Sequence, residues 1–179
     1  TDVTGEDGEI LEYEKSREGI NKRIKIWIPG ASDVSRTVRI EYTVRNGLRF
    51  FDPDDSEFEA GHDELYWNVT GDEWEVPIQV ASARVRVPPE VSDVEARVFT
   101  GSVGSTARNA TVTEIESGFY FETTRRLGSR EGMTVSLAWV PGVIARPTVV
   151  EKGSLFFRAN WIFLIPIVSF VIMYRLWQT

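Results

Sequence analysis

Cysteine is absent from this 179-residue chain, histidine occurs once and methionine twice. The lack of cysteine excludes disulfides, thiolate metal sites and a cysteine nucleophile. His62 is then the one candidate base for a serine triad, and no Gly-x-Ser-x-Gly elbow accompanies it. Zinc normally needs more nitrogen or sulfur ligands than a single histidine offers. The segment 101–104, Gly-Ser-Val-Gly, has no lysine to make a phosphate loop. A basic footprint is missing as well. The 20 Lys and Arg stand against 27 Asp and Glu, for a net charge of −7, which argues against nucleic acid as a partner. Paired carboxylates for glycoside cleavage need no local motif, but no cleft is evident to hold them. No enzymatic activity and no cofactor or metal are expected.

Charge is also missing from one end. Between Arg158 and Arg175 no side chain is charged, and the polar ones are Asn160, Ser169 and Tyr174. As a helix, residues 161–177 would be about 24 Å long, and Phe156 and Phe157 extend the run. Trp161 lies near one end of it, with Tyr174, Arg175 and Trp177 near the other, where such side chains favour the headgroup region. The pattern predicts a transmembrane helix over 155–177, with Asn160 and Pro166 as candidate helix-packing positions. Pro166 is expected to kink the helix in mid-span.

Elsewhere the chain alternates with period two. Residues 23–29 place Ile24, Ile26 and Ile28 on one face, against Lys25 and Trp27. In 37–46 the apolar Val38, Ile40, Tyr42 and Val44 alternate with charged and threonine positions, which predicts a strand with those four facing inward. Asn46-Gly47 is a strong hairpin signal, with residues 48–51 as the returning strand. Further strands are expected at 65–69, 78–87 and 94–98. A hairpin pair follows at 109–115 and 119–124, and a last strand at 134–140 with Val135, Leu137 and Trp139 on one face. Eight or nine short strands at this spacing predict an all-β, immunoglobulin-like antiparallel β-sandwich followed by one C-terminal transmembrane helix. The expected organisation is a polar arm over 1–8, a sandwich over 9–144, an extended linker over 145–154, the membrane helix over 155–177 and a tail of 178–179.

Between two of these strands lies an acidic loop. Asp52, Asp54, Asp55, Glu57 and Glu59 precede His62, Asp63 and Glu64 with no lysine among them. The loop lacks the glycine of a calcium-binding EF-hand template. Its plain reading is a solvated loop; the functional alternatives are a docking patch for a basic soluble partner, such as a small electron carrier, and a cation site.

Two stretches carry a family resemblance. Asp63-Glu-Leu-Tyr-Trp-Asn-Val-Thr-Gly-Asp-Glu-Trp-Glu-Val-Pro-Ile78 joins an acidic-apolar-Tyr-Trp-Asn run to a glycine, a tryptophan and a Pro-Ile step. A Leu127-Gly128 turn and the strand opening Gly132-Met-Thr-Val135 come just before the apolar terminus. Together they resemble the bacterial predicted membrane proteins of domain of unknown function 2207, over most of residues 38–177. The resemblance implies an exported β domain, a following membrane helix and usually a longer cytoplasmic region with more helices. It implies topology rather than chemistry. Within the motif, Tyr66, Trp67, Asn68 and Trp74 could form a recognition surface, while a core Trp with an Asn side chain bonded at the Gly71 turn is the structural alternative.

The expectation is therefore a single-pass protein of a bacterial inner membrane, with its β domain in the periplasm and its C-terminus in the cytoplasm. It would act as a non-catalytic accessory subunit of a larger integral membrane complex, with electron-transfer or photosynthetic reaction-centre assemblies as candidate hosts. The competing expectation is a free-standing, membrane-anchored ligand- or protein-binding module.

Overall fold

A computed structural model of the chain describes residues 1–18, 21–160, 162 and 164–178. The alternating segments become strands, and every pairing described between strands is antiparallel. In chain order they are β1 (Asp2–Thr4), β2 (Tyr13–Glu18), β3 (Asn21–Ile26), β4 (Arg39–Glu41), β5 (Leu48–Phe51), β6 (His62–Asn68), β7 (Ser82–Arg86), β8 (Glu95–Gly101), β9 (Ala110–Ile115), β10 (Gly118–Thr123) and β11 (Gly132–Trp139). Helices α1 (Val149–Asn160) and α2 (Leu164–Trp177) follow. The fold is all-β up to these helices. Two compact units divide the chain, Thr1–Gly47 and Leu48–Thr179.

In the second unit a four-stranded sheet runs β5-β6-β11-β8 and a three-stranded sheet runs β7-β10-β9. The last strand to be made occupies a middle position of the larger sheet. That placement explains its composition: Met133, Val135, Leu137 and Trp139 are buried on one face, and Ser136 and Ala138 on the other. The first face meets Phe121 from β10 and Val98 from β8, so both sheets contribute to one hydrophobic core. Burying a side chain such as Leu137 or Phe121 stabilises the fold by about 1.5–3 kcal/mol. Trp67 from β6 packs partly buried against the same cluster.

The β9–β10 hairpin forms as the sequence predicts, with Ile115 opposite Gly118 across a two-residue turn. Gly118 has φ +144, and a Cβ there would collide with the Val85 carbonyl oxygen of β7. Glycine is thus needed for the close passage of two strands.

The first unit departs from expectation in three places. Residues 2–4, assigned to a polar arm, form β1 and pair with β4. The predicted strand over 37–46 contracts to Arg39–Glu41, and Ile40, Tyr42 and Val44 are exposed rather than facing a core. Alternation specifies which side chains share a face, but only a second layer can cover that face. Asn46 does take a left-handed conformation at φ 57. However, it closes no β4–β5 hairpin, because β4 pairs with β1 and β5 with β6.

The C-terminal segment also differs. Residues 145–154 were expected to be extended, yet α1 begins at Val149. Its start is a capping box: the Glu151 backbone N–H donates to Thr148 Oγ1 at 3.2 Å, and the Thr148 N–H and hydroxyl donate to Glu151 Oε2 at 2.8 and 2.9 Å. These bonds satisfy helix-terminal groups that otherwise lack partners. The helix expected over 155–177 includes residues 161 and 163, which lie outside the described residues; α1 and α2 stand on either side of them. Among the described residues no helix is long and apolar enough to cross a membrane. Pro166 is the third residue of α2.

Candidate functional site

The junction between the larger β unit and α1 holds the most developed polar site. Asp63 opens the Asp-Glu-Leu-Tyr-Trp-Asn motif on β6, and its side chain is fully buried. A carboxylate in that position requires a counter-charge and hydrogen-bond donors. Arg146 supplies them from the segment after β11: Nη2 donates to Asp63 Oδ1 at 2.9 Å and Nε to the same oxygen at 3.2 Å. The Gly142 N–H donates to Asp63 Oδ2 at 3.3 Å. Arg146 Nη1 reaches Asp52 Oδ1 at 2.7 Å, and Nη2 the Phe51 carbonyl oxygen at 3.3 Å. Its guanidinium also lies 5.5 Å from the centre of the Phe50 ring. Hydrogen bonds to Asp52 first, and then to Asp63, push the guanidinium pKa up. One arginine thereby ties the chain leading into α1 to β5, β6 and the acidic loop.

The acidic loop is less bare than its sequence suggests. Asp52 is held by Arg146, and Glu57 accepts from Arg97 at 2.7 Å. That hydrogen bond lowers the Glu57 pKa, and Arg97, bonded to Glu57 and then to Glu95, has its own raised. Arginines distant in sequence thus pair with two of the loop's five carboxylates. Asp54, Asp55 and Glu59 are exposed and make no ion pair among the described residues. His62 is buried, stacked on Phe51 at 4.4 Å and 15°, with Phe58 tilted against it at 5.0 Å. Its Nδ1 shares a 2.6 Å hydrogen bond with Ser56 Oγ. The histidine therefore packs the loop onto the sheet. No group of three or more His, Asp or Glu among the described residues is placed to hold a metal ion.

The rest of the motif divides between structure and surface. Asn68 Oδ1 accepts the Gly71 N–H at 3.0 Å, as the turn reading requires, and Thr70 Oγ1 accepts the Met133 N–H at 3.0 Å. A Cβ on Gly132 would lie 2.6 Å from the Gly71 carbonyl oxygen, so this turn also depends on close approach. Trp74 is exposed, with its indole N–H donating to the Thr70 carbonyl at 2.5 Å. Tyr66 and Phe99 lie 6.5 Å apart beside an open cleft of about 400 Å³. Arg49 covers the Tyr66 ring at 4.2 Å and Arg108 the Phe99 ring at 5.8 Å.

At the C-terminus, Trp161 lies outside the described residues. Tyr174 and Trp177 are exposed, with ring centres 6.2 Å apart, and Arg175 stands between them in the last turn of α2. Asn160 donates to the Phe156 carbonyl of its own helix at 2.8 Å. The sequence reading missed Arg146 and Thr148. The Thr-x-x-Glu spacing could have revealed the second, whereas nothing local reveals the first.

The family described as Predicted membrane protein (DUF2207) N-terminal domain matches residues 3–139. No curated protein and no solved structure matches the chain.

Proposed function

From the premise that the chain belongs to this family of predicted membrane proteins, we propose that it is a non-catalytic membrane-anchored module serving as an accessory subunit of a larger membrane complex. The observation that carries the reading is the exposed apolar surface of α2. Ile165, Phe170, Ile172, Met173, Leu176 and Trp177 are each at least half exposed. In water such a surface is costly, and lipid or a neighbouring apolar helix removes the cost. At 14 residues α2 is about 21 Å long, short of the ~30 Å hydrocarbon core. The reading has the apolar sequence from 155 onward supply the remainder. Tyr174 and Trp177 then sit at the far headgroups, and Arg175 favours a cytoplasmic C-terminus with the β units on the periplasmic side.

The larger β unit is proposed to be an immunoglobulin-like sandwich, supported by its four-plus-three division of strands about one core. The middle position of β11 would be its own variation on that plan. The Arg146 clasp holds the start of α1 to this unit, as a subunit that caps a membrane neighbour would need. Asp54, Asp55 and Glu59 remain as the part of the acidic loop able to meet a basic partner. The cleft beside Tyr66 and Phe99 favours a second reading, a free-standing module that takes a ligand there. Mild detergent extraction separates the two: an accessory subunit co-migrates with a stoichiometric membrane partner, while recovery as a single species would overturn that role.

A further inference from the structure

The β2–β3 hairpin is a two-stranded sheet, and its strands pair with no other strand among the described residues. Its base is fixed: the Leu11 N–H donates to the Val3 carbonyl at 3.1 Å, the Trp27 N–H to Glu12 O at 3.0 Å, and the Tyr13 hydroxyl to Thr1 O at 2.9 Å. Register then sorts its side chains. Tyr13 is opposite Ile26, Lys15 opposite Ile24 and Arg17 opposite Lys22, all on one face. The other face brings Glu14 opposite Lys25, a matched pair.

The first face is therefore apolar toward its base and wholly cationic beyond it. Arg17 and Lys22 are directly opposed like charges, an arrangement that costs stability in an antiparallel pair. Both are exposed, and neither makes an ion pair among the described residues. Lys15 Nζ lies 5.0 Å over the Tyr13 ring, and on the other face Lys25 Nζ lies 4.7 Å over Trp27. On the first face, cations beside Tyr13 with a short apolar base are the chemistry of a membrane surface contact. An anionic surface would relieve the Arg17–Lys22 repulsion that the isolated chain leaves standing.

We propose that this face docks on the phosphate groups of an anionic phospholipid surface. The proposal rests on the membrane-anchored reading, because the anchor keeps the hairpin near lipid at high effective concentration. Each cation near such a surface changes the docked-to-undocked ratio about fivefold.

The test uses the full chain in lipid nanodiscs, with a fluorophore on Ser16→Cys, a unique label in a chain without cysteine. Co-elution with discs reports the anchor, and quenching by headgroup-attached quencher lipids reports the hairpin. Strong quenching is expected in discs with a third anionic lipid. It should fall severalfold in neutral discs, in high salt, and in both K15E/R17E/K22E and the milder K15Q/R17Q/K22Q. Circular dichroism checks that the variants keep their strands. Equal quenching in neutral and anionic discs, or none in either, overturns the docking alone. Failure to co-elute overturns the anchor and the docking together. Loss of self-association in the variants, with quenching unchanged, overturns the lipid in favour of a second copy of this chain.

Discussion

Replacing Asp63 by Asn removes a fully buried charge from a pair whose other member, Arg146, is one-third exposed. The carboxylate accepts from Arg146 Nε and Nη2 and from the Gly142 N–H, so all three donors lose a charged acceptor. Asparagine keeps the volume, but its NH₂ group turns donors toward donors. Arg146 keeps Asp52 and the Phe51 carbonyl as partners, so the cost is that of weakened hydrogen bonds at the buried carboxylate, about 1–3 kcal/mol, rather than that of an orphaned buried charge. For a domain of this size the loss lowers Tm by roughly 3–10 °C. Asp54→Asn, on the exposed part of the same loop, should stay within about 0.5 kcal/mol of the parent. The assay is thermal unfolding of the full chain in detergent, with hydrogen exchange over residues 140–148 as a local readout. Asp63→Asn should speed exchange there, since Gly142 and Arg146 lose their anchor. Replacing both partners, Asp63→Leu with Arg146→Met, should recover much of the stability, as apolar replacement of a buried pair often does. An Asp63→Asn variant within about 0.5 kcal/mol of the parent, with unchanged exchange over 140–148, would refute the clasp.

The remaining predictions concern the start of α1. Thr148→Ala removes the cap oxygen and should cost about 1 kcal/mol of local helix stability, read as faster exchange in residues 149–153 with the β core unaffected. The capping box should also respond to pH. Hydrogen bonds from the Thr148 backbone, and then its side chain, hold the Glu151 carboxyl below its ordinary value of 4.5. A depressed carboxylate pKa gives stability that is present above 4.5 and lost as pH falls through the lowered value. Exchange in the first turn of α1 should therefore rise only in acid below that range, and Glu151→Gln should remove the dependence.

Local patterns were legible in proportion to how local their causes are. The β9–β10 hairpin needed only two alternating runs and Gly118. The buried face of β11 could be read from Val135, Leu137 and Trp139, all three of which lie in the core. The Asn68–Gly71 turn was similarly a matter of neighbours. By contrast, Ile40, Tyr42 and Val44 alternate as well as β11 does and are nevertheless exposed, because coverage is a tertiary property. The Asp63–Arg146 contact joins residues 83 apart, and no periodicity relates them. The same holds for Glu57 and Arg97.

Lipid around α2 is the premise on which the account stands, and one labelling comparison tests it. Single-cysteine variants Ser169→Cys and Asp54→Cys, in membranes carrying the full chain, are exposed to a maleimide that cannot cross the bilayer. The account predicts that position 169 stays unreactive until detergent is added, while position 54 reacts at once from the periplasmic side. Prompt labelling of position 169 in intact membranes would contradict it.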